Sequence, residues 1–197
     1  MTPSDGSPRS AHLRLLGVVF LYLVTVLALT HASAETSMEP KIVEQAEFSI
    51  IGIQVRTSNA TEMSGQGAIP KQWSKFYKEG IADKIPNKAD SSIYAVYTNY
   101  ASDYNGQYDF IIGMKSGSPD VPPGMVAKKV PSGKFAVITS AKGPVQEVVP
   151  QAWQRVYSLD DNKQIGGTRA YKADFELYDQ RSQNPQDAQV DLYIGLK

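Results

Sequence analysis

The sequence predicts an α+β domain in which a strand-helix-strand-strand unit occurs twice, giving an antiparallel-dominated sheet with two helices on one face. An internal repeat and a matching order of periodicities in both copies carry that prediction. Pro70, Trp73 and Tyr77 recur as Pro150, Trp153 and Tyr157 in an ungapped eight-residue word, with Lys75 exchanged for Arg155. Downstream, Asp109, Ile112, Gly113 and Lys115 recur as Asp191, Ile194, Gly195 and Lys197 at nearly the same offset. Two words repeated in the same order at one spacing mark a duplicated supersecondary unit. The half-repeats run over about 39–116 and 124–197.

Each copy justifies its elements in order. Residues 47–56 read as the first strand, followed by a helix that starts at Pro70, where the missing N–H of proline costs nothing. Residues 93–100 and 108–114 are β-branched and aromatic, and the turn formers of 103–106 join them as a hairpin. The stretch 117–124, rich in proline and glycine, links the halves, and 125–130 adds a strand at the junction. In the second copy 134–140 is the first strand. Val145, Val148, Val149, Ala152, Trp153, Val156 and Tyr157 then form one apolar helical stripe, with Pro150 expected at the helix start. Residues 173–178 and 190–196 close the copy around a polar loop at 180–187.

Residues 1–34 stand apart. Arg9 and Arg14 precede an uncharged apolar run from 15 to 29, and Ala32-Ser33-Ala34 supplies small residues where a signal peptidase cuts. The run is shorter than the ~20 residues a spanning helix needs. The expectation is a secretion signal cleaved after Ala34, an exported single domain over 35–197, and no stable membrane span; the alternative is a retained anchor. Setting the segment aside removes Arg9, Arg14 and Asp5, leaving a net charge near −1. No basic stripe points to nucleic acid.

The two histidines, His12 and His31, also fall in this segment, and the chain has no cysteine. The expected mature chain therefore cannot build a Ser-His-Asp triad, a thiolate nucleophile, a zinc site of the N/S type or a disulfide framework. No cofactor and no metal are expected. The only exported-protein motif besides the signal is the weak glycosylation sequon at Asn59-Ala60-Thr61.

Strand parity sorts the faces. Val190, Leu192, Ile194 and Leu196 are expected to face the helices, with Asp191 and Tyr193 turned away. By the same logic Phe175 and Leu177 go under the helices, leaving Asp174, Glu176 and Tyr178 on an open second face. The repeats align Tyr97 with Tyr178 and Ala95 with Glu176, so both halves present a tyrosine and only the second an acid. Rings attract cations through their quadrupole and a lone carboxylate adds a countercharge, which suits a planar or cationic amphipathic ligand. The bland alternative is a solvated Glu176 on an open sheet. Trp73 and Trp153 belong to the helical stripes, as core residues or with an indole edge lining a cleft. The candidate binding set is Glu176, Tyr178, Tyr97, Tyr193, Trp153 and Trp73.

The run Phe175-Glu176-Leu177-Tyr178, the polar loop after it, the terminal word 191–197 and the Gly143-Pro144 step resemble the GyrI-like effector-binding domain, also called the bacterial transcription activator effector-binding domain. The resemblance covers residues 39–197. It implies a channel between the halves that takes small cationic or lipophilic molecules, with Glu176 as countercharge. Members of that family are often fused to a helix-turn-helix, for which this chain has no room, so ligand capture rather than transcription or gyrase binding is expected. Two other functions stay open: a hydrolase of reactive small molecules with Glu176 as general base, and a protein-interaction module using an exposed aromatic face.

Overall fold

The computed structural model describes residues 39–197, and the expected signal segment lies outside them. In chain order the domain comprises β1 (Lys41–Gln45), β2 (Phe48–Ser58), α1 (Asn59–Thr61), α2 (Ile69–Lys78), α3 (Ile81–Lys84), β3 (Ile93–Thr98), β4 (Gln107–Lys115), β5 (Val126–Val130), β6 (Gly133–Thr139), α4 (Val145–Asp161), β7 (Arg169–Tyr178) and β8 (Asp191–Leu196). All eight strands form one antiparallel sheet in the order β1-β6-β8-β7-β3-β4-β2-β5. The predicted α+β class and the duplication are both visible in it: β6-β8-β7 mirrors β2-β4-β3, and the halves meet at the β3–β7 ladder.

The helices lie on one face, as expected. Phe76 of α2 joins Ile51, Ile53, Phe110 and Ile112 in one core, while Ala152 and Val156 of α4 join Ile138, Leu192 and Ile194 in another. Pro70 sits in the first turn of α2, and Gly80, at φ 58, ends that helix by taking the left-handed conformation that glycine adopts at least cost. Pro150 departs from the expectation. It lies inside α4, because Val145 and Val148 extend the apolar stripe one turn upstream and the Val145 N–H is held by the Pro185 carbonyl.

The second face is not open, which corrects the parity of β7. Gln45 pairs with Gly133 and Phe48 with Val130 in a single register, so 41–52 and 126–137 form one ribbon, interrupted at 46–47 and 131–132, whose two arms are the two sheet edges. The ribbon curls the edges inward over a second core of Phe48, Tyr94, Phe135 and Phe175, with Val43, Val126, Leu177 and Tyr193 against it. Phe175 and Leu177 therefore bury on this side. Glu176 is cross-strand partner of Leu192 and Asp174 of Ile194, and direct partners share a face, so both acids point toward the helices. β1 was also absent from the sequence reading: it has four polar or exposed positions, and long-range pairing alone makes it a strand.

Gly52 and Gly113 are direct partners in the β2–β4 ladder, and a Cβ on either would lie inside the backbone of the other strand, at Ile112 and Ile51. Gly113→Ala is expected to destabilise the domain by about 1–3 kcal/mol, read as a lower midpoint in urea with an unchanged slope; wild-type stability would remove the close-approach account of this ladder.

Candidate functional site

The sheet's helix-covered face dips between α2 and α4 into a cavity of ≈ 790 Å³. Ile69, Pro70 and Trp73 of α2 form one wall, Val149, Pro150, Trp153 and Tyr157 of α4 the other, and Tyr97, Glu176 and Tyr178 the floor. Both copies of the Pro-Trp-Tyr word thus lie in the walls, and the strands that carry the floor are the two central ones. This size lies within the range of pockets for drug-sized ligands.

Glu176 is 2% exposed and is held by three neutral donors. Tyr97 Oη donates to Oε1 at 2.7 Å, Trp153 Nε1 to Oε1 at 2.6 Å, and Tyr178 Oη to Oε2 at 2.7 Å. Burial pushes the carboxyl pKa up, and the three hydrogen bonds oppose that rise without cancelling it. The phenols of Tyr97 and Tyr178 are driven far above their ordinary range, first by burial and then by the Glu176 charge, so both stay protonated donors. An ionised carboxylate in such a place costs several kcal/mol before its hydrogen bonds are counted.

The rings repeat about the β3–β7 ladder. Ala95 and Glu176, equivalent in the aligned repeats, are also direct cross-strand partners, so the pseudo-twofold axis passes between them. Trp73 packs edge-on to Tyr178 of the other half at 4.8 Å and 67°, and Trp153 edge-on to Tyr97 at 5.0 Å and 67°. Each tryptophan also lies against the tyrosine four residues on, Trp73 on Tyr77 at 5.9 Å and Trp153 on Tyr157 at 6.0 Å.

Of the six candidate residues, the structure brings five together around the cavity. Tyr193 is the exception. It lies on the opposite face, stacked on Phe175 at 4.4 Å and 10°, because β8 turns its odd-numbered residues away from the helices. Among the lining residues that sequence reading missed, three fasten the site through hydrogen bonds or an ion pair. Asn59, noticed only as a sequon, donates its amide to Tyr104 O and Tyr157 Oη and accepts from Tyr108 Oη, tying the entry of the first half to α4 of the second. Glu62 receives the backbone N–H groups of Ala68 and Ile69 and so fixes the start of α2 at the cavity wall. Arg169, also lining the cavity, pairs at 2.6 Å with the buried Asp174, which further accepts from Tyr100 Oη and the Gly195 N–H. Asn59 leaves no local signal, since its partners lie on a remote loop, strand and helix. Glu62 and Arg169 bond residues only five to seven positions away, in contacts that no helical or strand periodicity marks; the Gly195 word is the nearest hint.

Comparison with known proteins identifies the family. A family model described as integron-associated effector-binding protein matches residues 41–196. YobU of Bacillus subtilis (strain 168), a candidate transcriptional regulator, is 35% identical over 148 residues, 74% of this chain and 90% of YobU. The transcriptional regulator BrlR of Pseudomonas aeruginosa is 33% identical over 166 residues, 81% of this chain, and the match spans only 56% of BrlR. Among solved structures, the integron cassette protein VCH_CASS2 of Vibrio cholerae superposes with a TM-score of 0.67 at 32% identity, over 81% of this chain and 97% of that one. SAV2435, solved bound to tetraphenylphosphonium, shares the fold with a TM-score of 0.67 at 19% identity, over 81% of this chain and 94% of its own. On the family match and these identities, the chain belongs to the integron-associated, GyrI-like effector-binding protein family.

Proposed function

We propose that the domain captures a small lipophilic cation in the cleft between its halves, with Glu176 as countercharge and Tyr97, Tyr178, Trp73 and Trp153 as the aromatic walls. The observation that carries this reading is a fully buried carboxylate at a cavity floor whose three partners are all neutral. A bound cation supplies the countercharge such a group lacks, and ring faces attract it further once water is excluded. The three neutral donors occupy both carboxylate oxygens and hold them in place, which favours electrostatic recognition over water activation by a general base. Tetraphenylphosphonium bound to SAV2435, a protein of the same fold, is the natural first probe.

Calorimetry with tetraphenylphosphonium is expected to give saturable one-to-one binding that weakens about ten- to hundredfold in Glu176→Gln, in line with losing a charge-assisted contact in a buried site. The substitution preserves the fold: Gln keeps an oxygen for Tyr97 and Trp153, and its amide can donate to the Tyr178 hydroxyl. Equal affinity of the two proteins would sink the countercharge role.

The raised Glu176 pKa fixes the sign of two pH effects. Cation affinity falls as pH drops through the folded-state pKa, above the ordinary carboxylate range, and stays flat in Glu176→Gln. For the ligand-free protein, the stabilisation from a protonated Glu176 is fully present below the unfolded-state pKa and is lost as pH rises through the folded-state value. Denaturant titrations of the two proteins across that window should therefore diverge toward higher pH, with Glu176→Gln the more stable partner; parallel curves would contradict the assignment.

Export is proposed on the build of residues 1–34, with ligand capture outside the cytoplasm as its consequence. Mass spectrometry of the chain recovered from a secreting bacterial host is expected to find Glu35 as the first residue; an intact segment at the N-terminus of the exported fraction overturns cleavage.

A further inference from the structure

The cleft is twofold in its walls and onefold in its charge, and that combination narrows the ligand. The axis through the Ala95–Glu176 pair places the carboxylate at the middle of the floor. To either side stands the same ring arrangement, Trp73 on Tyr178 and Trp153 on Tyr97, at matching separations of 4.8 and 5.0 Å and the same 67° tilt. Pro70 and Pro150 repeat the correspondence in the lining of each wall. Each half thus contributes a helix tryptophan that leans on the other half's strand tyrosine; the two seats match in ring geometry and differ in that Trp153 also donates to Glu176.

We infer that the preferred ligand is bilateral: one cationic centre with a flat apolar group on each of two sides, rather than a cation at the end of a single apolar arm. This deepens the cation-binding reading and rests on it. A central charge lies over Glu176 only if the ligand's apolar mass divides between the walls. A terminal charge can reach the carboxylate only when one wall is left uncovered, and the uncovered rings then contribute nothing. The walls therefore select for the distribution of apolar surface at constant charge and size, a property that general lipophilicity does not capture.

Two isomeric ammonium ions of the same formula test it. Dibenzyldimethylammonium carries one ring on each side of its nitrogen, and (biphenyl-4-ylmethyl)trimethylammonium carries both rings on one side. Fluorescence or calorimetric titration of the wild-type protein is expected to show the dibenzyl isomer binding tighter by on the order of tenfold, the scale of one added ring contact. Trp73→Leu, which removes one seat and keeps all three Glu176 donors in the chain, is expected to close most of that gap. Equal affinities in the wild type, or a preference for the biphenyl isomer, overturn the bilateral reading. So does failure of both isomers to bind while tetraphenylphosphonium does. Glu176→Gln keeps the two readings apart: if it weakens both isomers equally while they bind alike, cation capture stands and bilateral selection falls; if it changes neither, capture itself falls.

Discussion

Glu176 is the constraint around which the domain is arranged. A carboxylate with almost no exposure is tolerable only when its lone pairs are occupied, and the three donors come from three elements: β3, β7 and α4. Holding those donors in place requires the central ladder to keep its register and α4 to sit at a fixed height above the sheet. A second buried acid repeats the logic nearby. Asp174 accepts from Arg169, Tyr100 and the Gly195 N–H, and so fastens the irregular stretch of β7 to β8 beneath the same cavity. Breaking one partner of such a pair generally costs about 3–5 kcal/mol, because the other charge is left buried.

The sheet's second core explains how so small a domain can keep a large cavity on its helix side. Phe48, Tyr94 and Phe135 each pack against Phe175, at 5.4 to 6.1 Å, Phe48 also lies 5.3 Å from Tyr94, and the curled ribbon closes over them. Stability is thereby supplied on one side while the other side is left for recognition. The helices need not fill the space between them, since each has its own core against its own half of the sheet.

Much of this was legible in the chain. The duplication, the order of elements, the helical stripes and the parity of β8 follow from short-range periodicity, and the physics that produces them is local. The parity of β7 was misread for a reason that is itself physical: Phe175 and Leu177 were assigned to the only buried face that could be inferred, whereas the ribbon creates a second one by pairing residues far apart in sequence. That error put Glu176 on the wrong side of the sheet yet kept it with the right tyrosines, because Tyr97 and Tyr178 share its parity. Tyr193 was lost to the site by the same rule. Asn59 stayed invisible because its hydrogen bonds reach a remote loop, strand and helix, and Glu62 and Arg169 because their short-range bonds, to Ala68, Ile69 and Asp174, follow no helical or strand period.

The Ala95–Glu176 pairing also says something about one chain as against two. Were the halves identical and separate, symmetry would set a glutamate beside a glutamate at the centre of the interface, and two adjacent buried carboxylates must share a proton rather than carry two charges. Covalent fusion lifts that obligation: with a methyl group on one side of the axis, the acid on the other can hold a full negative charge alone. A monovalent site at the heart of a twofold frame is thus something that a fused dimer can build and a symmetric homodimer cannot.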